Sequence, residues 1–139
     1  MIVLDEQISK NECIRTAIGR WYHGPVVSLD ELRPRGEVIK DDLIPDILRE
    51  HKGSIFVTIN SAHFWRVANA HTAFCIVCLT LKIEECDQIP DVLRRVLASP
   101  ALRSKRDRCG KVVRAFNWRS GVRDIEWYER LSGPIFRVV

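Results

Sequence analysis

The chain has 139 residues, 46% of them hydrophobic and 29% charged, with five cysteines and a formal net charge of +4. That length suits one domain with a real core, and no stretch approaches the roughly 20 apolar residues a membrane span needs. No Gly-rich loop of the kind that cradles phosphates is present, which argues against a P-loop or dinucleotide-binding fold.

The first apolar run, "MIVL", is broken at once by Asp5 and Glu6, far short of a secretory core, so a soluble, cytoplasmic protein is expected. It reads as a short strand ending in two acids. "NECIRTAIGRW" follows with Cys13, Ile14, Ala17, Ile18 and Trp21 at the spacing of one helical face. "VVSLDE" is a second short strand ending in acids, and "LRPRGEVIK" is a loop. "DDLIPDILREH" predicts a helix with Asp41 as N-cap, Pro45 in the tolerant first turn, and Ile44, Ile47 and Leu48 facing the core.

"SIFVTIN" predicts the third strand and "AHFWRVANAH" a short helical stretch. "AFCIVCLTL" is nearly all apolar, as in a strand buried on both faces. "EECDQIPDVLRRVLAS" predicts a helix with Ile89, Val92, Leu93, Val96 and Leu97 on one side. Four strand–helix alternations predict an α/β fold with a mainly parallel sheet. "GKVVRAFNW" is strand-like, and "SGVRDIEWYERLSGPIFRVV" reads as further strands or a hairpin. The expected organisation is a single domain over 1–139: an α/β core over 1–104 and a basic, β-rich extension over 105–139.

In a parallel sheet, strand C-terminal ends and the following helix starts share one rim, where ligands bind. That rim would collect Asp5, Glu6, Asp30, Glu31, Asp41, Asp42, Asn60 and His63. Carboxylates brought together repel unless a cation neutralises them, and hard divalent ions prefer such oxygen ligands. The competing reading is that these groups cap helices and face water, a role Asp41 and Ser61 suit.

Residues 1–93 carry 10 Lys/Arg against 14 Asp/Glu, net −4; residues 94–139 carry 12 against 4, net +8. A basic C-terminal third with interleaved Phe116, Trp118, Trp127, Tyr128 and Phe136 suits a single-stranded nucleic acid partner. It equally suits aromatics packed on an edge hairpin beneath solvated charges. The candidate nucleic-acid contacts are Arg35, Lys40, Arg66, Lys105, Arg106, Lys111 and Arg114. A zinc site from His63, His71, Cys75 and Cys78 is disfavoured, because side chains three apart in a strand point to opposite faces. The thiols suit reduced, buried cysteines.

"IVLDEQIS", "DDLIPDILREHKGSIFVTIN" and "SAHFW" together resemble small stand-alone PIN-like proteins over residues 1–81. The resemblance implies a three-layer α/β/α sandwich and a Mg²⁺- or Mn²⁺-dependent ribonuclease, often the toxin of a toxin–antitoxin pair and dimeric by family habit. It implies Asp5 as the first metal-ligand acid with Glu6 beside it, and Asp41 or Asp42 as the second. Where the third acid is expected, just before Phe64, this chain has His63, with Asn60 able to add a neutral oxygen. Imidazole suits softer ions such as Mn²⁺ or Zn²⁺ better than Mg²⁺. Two classes follow: a metal-dependent ribonuclease with a modified site, or a catalytically silent protein of that fold binding RNA or a protein partner such as an antitoxin.

Overall fold

The computed structural model describes residues 1–33, 38–116 and 124–138. Arg35 and the turn around Gly121 lie outside the described residues. The strand β1 (Ile2–Leu4) is buried along its length and has a parallel partner on each side: β2 (Val26–Ser28) and β3 (Ser54–Thr58). Beyond β3 follow β4 (Phe74–Leu79) and β5 (Val112–Phe116), also parallel, then β6 (Asp124–Tyr128) and β7 (Ile135–Arg137), both antiparallel. The order across the seven-stranded sheet is β2-β1-β3-β4-β5-β6-β7. β5 therefore continues the parallel sheet, so the break expected at residue 105 does not divide core from extension.

The helices are α1 (Glu6–Ser9), α2 (Glu12–Gly19), α3 (Ile44–Arg49), α4 (Ser61–Phe64), α5 (Ile89–Leu97) and α6 (Lys105–Arg108), with 3₁₀ turns at Leu29–Leu32, Asp41–Leu43 and Ile83–Gln88. α3 and α5 start with Pro45 and Pro90 in their first turns, where a missing N–H costs nothing. The helix read from "NECIRTAIGRW" is α2, capped by Asn11, whose side chain accepts from the Cys13 amide at 3.0 Å.

Strand alternation sorts the core into two clusters. Ile2, Leu4, Ile55, Val57, Cys75, Val77 and Leu79 face Ile14 and Ile18 of α2 and the apolar side of α5. Val3, Phe56, Phe74, Ile76 and Cys78 face Ile44, Ile47 and Leu48 of α3 and Phe64 of α4. Cys75 and Cys78 are thus buried on opposite faces, and burial pushes the Cys78 thiol up to about 12. Among the described residues no helix is long and apolar enough to cross a membrane.

The antiparallel strands are tied in by a buried carboxylate. Glu126 is 1% exposed and accepts from Arg114 on β5 and from Arg137 Nε on β7, the latter at 3.1 Å. The Arg114 guanidinium also lies 4.9 Å from the ring centres of both Trp65 and Phe116. Removing one member of a buried ion pair costs about 3–5 kcal/mol when the other stays buried. Both arginines here reach water in part, so Glu126→Ala should cost about 2 kcal/mol, read as a lower urea midpoint. An unchanged midpoint would mean that Glu126 contributes nothing net.

Candidate functional site

The chain runs from β1 outward to β2, then returns past β1 to β3. Its first connection packs on one face of the sheet and its second on the other. Such a reversal leaves a crevice at the C-terminal ends of the two strands where it occurs, here β1 and β3. Asp5 stands in it, directly after Leu4, and is only 9% exposed.

Asp5 serves as N-cap of α1. Its Oδ1 accepts from the Glu6 amide at 2.8 Å, and the Thr58 hydroxyl, at the tip of β3, donates to Oδ2 at 2.7 Å. Thr58 Oγ1 in turn accepts from the Asn60 amide at 3.0 Å. Burial pushes the Asp5 carboxyl above its ordinary value. The Thr58 and Glu6 donors work against that rise, nearby Asp41 adds to it and His63 opposes it. Thr58 was legible only as the single polar side chain inside "IFVTI", buried at 0% exposure.

The helix expected to start with Asp41 as its N-cap begins instead as a 3₁₀ turn with Lys40 before it, and neither Lys40 nor Leu43 makes a side-chain cap. Asp41 is freed for another partner: its Oδ2 accepts from His63 Nδ1 at 2.5 Å, both side chains about half exposed. With Nδ1 donating, the neutral imidazole carries its lone pair on Nε2. Asn60 precedes α4 without capping it by side chain, and Ser61 Oγ is buried with no partner among the described residues. Ser61 therefore does not provide the cap that its position suggested.

The structure brings Asp5, Asp41, His63 and Thr58 to one rim. Glu6 is exposed on α1, and Asp42 is exposed on the 3₁₀ turn beside Asp41. Of the other acids expected there, Asp30 is bonded to Ser28, and Glu31 accepts both Arg15 guanidinium nitrogens, at 2.5 and 3.1 Å. Among the described residues, no three His, Cys, Asp or Glu side chains stand close enough to hold a metal ion.

The segment after α4 is not helical, contrary to the reading of "AHFWRVANAH". Trp65 is extended and Arg66 takes φ +60°, a left-handed conformation costing a non-glycine residue about 1–3 kcal/mol. Tertiary contacts hold it: Arg66 donates to Gly133 O at 3.1 Å and sits 5.2 Å from the Tyr128 ring centre. The buried Tyr128 hydroxyl donates to Ala68 O at 2.6 Å and lies 3.3 Å from Phe64 O. Burial pushes this phenol up to about 12, keeping it a donor. The fixed turn forms one wall of a cleft of about 660 Å³ that opens beside His63 and Asp41.

Two of the basic candidates separate from this rim. Lys105 and Arg106 lie on α6, just before β5, and the Lys105 side chain folds over Gly53 at the start of β3. They occupy the opposite end of the sheet, roughly 17 Å away for a five-residue strand. Lys111 Nζ donates to Ala101 O at 2.8 Å and lies 5.0 Å from the Trp127 ring centre. Trp127 also stacks on Phe136, and Arg114 is engaged as described above. Lys40 is exposed next to Asp41. Several aromatic faces thus meet the chain's own cations.

In comparisons with known proteins, no family model, no curated protein and no solved structure matches the chain.

The raised acid makes a pH-dependent prediction. Folding favours protonated Asp5, so this group's contribution is complete below its ordinary value near 3.8 and is lost as pH rises through the higher folded-state value. Asp5→Asn keeps an acceptor for the Glu6 amide and removes the buried charge. Its melting temperature at pH 7 should exceed the parent's by a few degrees, with the gap closing toward pH 4. Equal melting at pH 7, or a gap that widens in acid, would contradict this account.

Proposed function

We propose that the protein is a PIN-like endoribonuclease, a three-layer α/β/α domain that uses a divalent cation at the β1–β3 crevice. The observation that carries this reading is the pairing of a buried acid at the crevice, Asp5, with an imidazole whose Nδ1–H is held by a carboxylate. Metal-binding histidines characteristically donate their second ring nitrogen to such a group. Asp5 and His63 Nε2 would hold the ion, and Asp41 would position His63 rather than serve as a ligand itself. The fit is chemical: Asp5 is a buried carboxylate with no ion-pair partner among the described residues, and a divalent ion would relieve that. Ser61 Oγ adds an unmatched polar atom nearby. One carboxylate with one imidazole favours Mn²⁺ over Mg²⁺.

Such an ion, when bound, supplies an activated water and neutralises charge on a phosphodiester. The chain's residues do the rest. Thr58 fixes one oxygen of Asp5 and the Glu6 amide fixes the other, so that carboxylate is pre-oriented. Asp41 sets the His63 tautomer and ring direction. The second reading, a silent binder of the same fold, is favoured by the absence of three convergent ligands among the described residues.

Calorimetry with Mn²⁺ and Mg²⁺ and cleavage of single-stranded RNA with and without EDTA separate the two. The ribonuclease reading expects Mn²⁺ binding and EDTA-sensitive cleavage, both lost in Asp5→Ala. Asp41→Asn should weaken Mn²⁺ affinity or activity by about 10–100-fold, the usual cost of losing an orienting partner. His63→Asp should move the ion preference toward Mg²⁺. No binding heat together with intact RNA would leave the silent binder. A small adjacent gene encoding an antitoxin would place the protein in a toxin–antitoxin pair.

A further inference from the structure

The cleft beside His63 has a composition that the rim chemistry does not use. Its floor is apolar, formed in part by buried Phe64 and Phe74, while Val67 lines it and is 58% exposed. Asp42 and Asn69 also line it, and neither hydrogen-bonds to another described residue. His71 lies toward the start of β4. Its Nδ1 accepts from the Ala73 amide at 3.0 Å, which fixes Nε2 as a donor in the neutral ring. That ring is stacked on Phe74, with centres 5.7 Å apart and planes 16° from parallel, and the residue remains exposed.

We propose that this cleft binds a nucleobase carrying an exocyclic amino group, that is adenine, cytosine or guanine rather than uracil. The volume of about 660 Å³ falls within the range of small-ligand clefts. A planar base can extend the His71–Phe74 stack, and stacking on a ring is the sequence-tolerant part of single-strand binding. The free Asp42 carboxylate accepts from an amino group, and the Asn69 amide can both donate and accept along a base edge. Uracil offers the carboxylate only its N3–H, flanked on both sides by carbonyl oxygens that face it acceptor to acceptor. Asp42 repels a phosphate from the interior, while Asp46 is already paired with Arg49, which also lines the cleft, so a nucleotide would enter base first with its backbone left at the mouth. The inference rests on the ribonuclease reading for why a nucleic acid is present, but it can fail separately.

The test uses phosphate-free nucleosides and NMR of the full chain. Adenosine and cytidine should shift the Asn69 side-chain amide and the His71 ring signals saturably, with uridine weaker by about tenfold. His71→Ala should weaken adenosine binding by about tenfold, while His71→Phe, which keeps a stacking face, should retain most of it. Signals far from the cleft report whether each variant stays folded. No saturable shift at millimolar nucleoside would overturn the proposal, as would equal binding of uridine or equal loss in both His71 variants. Nucleoside binding without RNA cleavage in Mn²⁺ would remove the ribonuclease reading and leave the base site. Cleavage without nucleoside binding would do the reverse.

Discussion

The position of β1 between β2 and β3 is the constraint on which the rest of the molecule depends. Because its two neighbours are reached from opposite directions, the covering helices must divide between the faces of the sheet. That division buries β1, β3 and β4 on both sides and demands continuous apolar strands. It also leaves the end of β1 uncovered by either connection. An acid placed immediately after such a strand is enclosed by its neighbours yet open at its tip. Asp5 meets this condition through one hydroxyl from β3 and one amide from its own helix.

The two-faced burial explains why so much of the fold was legible. The stretch "FCIVCL" has no polar position because β4 has no solvent face, and Cys75 and Cys78 fall on opposite sides as strand geometry requires. The apolar sides of α3 and α5 follow the periodicity of their sequences. Local errors arose where tertiary contacts overrode local preference. α1 begins directly after β1, so Asp5 and Glu6, adjacent in sequence, have opposite fates: one enclosed, the other exposed. Asp41 looked like a cap because acids cap helices well. A 3₁₀ lead-in placed it instead beside a histidine 22 positions away. α4 stops at Phe64 with no Gly or Pro to announce it, since Arg66 is forced left-handed by partners at Gly133 and Tyr128.

Charge was the least transferable part of the reading. The opposite net charges of the first two-thirds and the last third of the chain are real, but the basic residues of α6 lie at the far end of the sheet from the acids. Sequence counts give the sign of a region and not its address, because parallel strands send loops to alternate ends. Arg114 of β5 and Lys111 just before it are further committed to Glu126, to carbonyl oxygen and to aromatic rings. Among the described residues, β6 and the segment after it also support the 64–68 turn, through Tyr128 and Gly133.

That support crosses a long stretch of chain. The Tyr128 hydroxyl reaches carbonyls 60 and 64 residues earlier, so the wall beside His63 cannot reach its final shape until the last strands have docked. Contacts of such sequence separation close late in folding, after the local elements have formed. Opening that wall breaks its bonds to β6 as well as the turn's own backbone bonds, so its free energy includes that of parting from Tyr128. Order beside His63 is in this sense governed from the opposite end of the polypeptide.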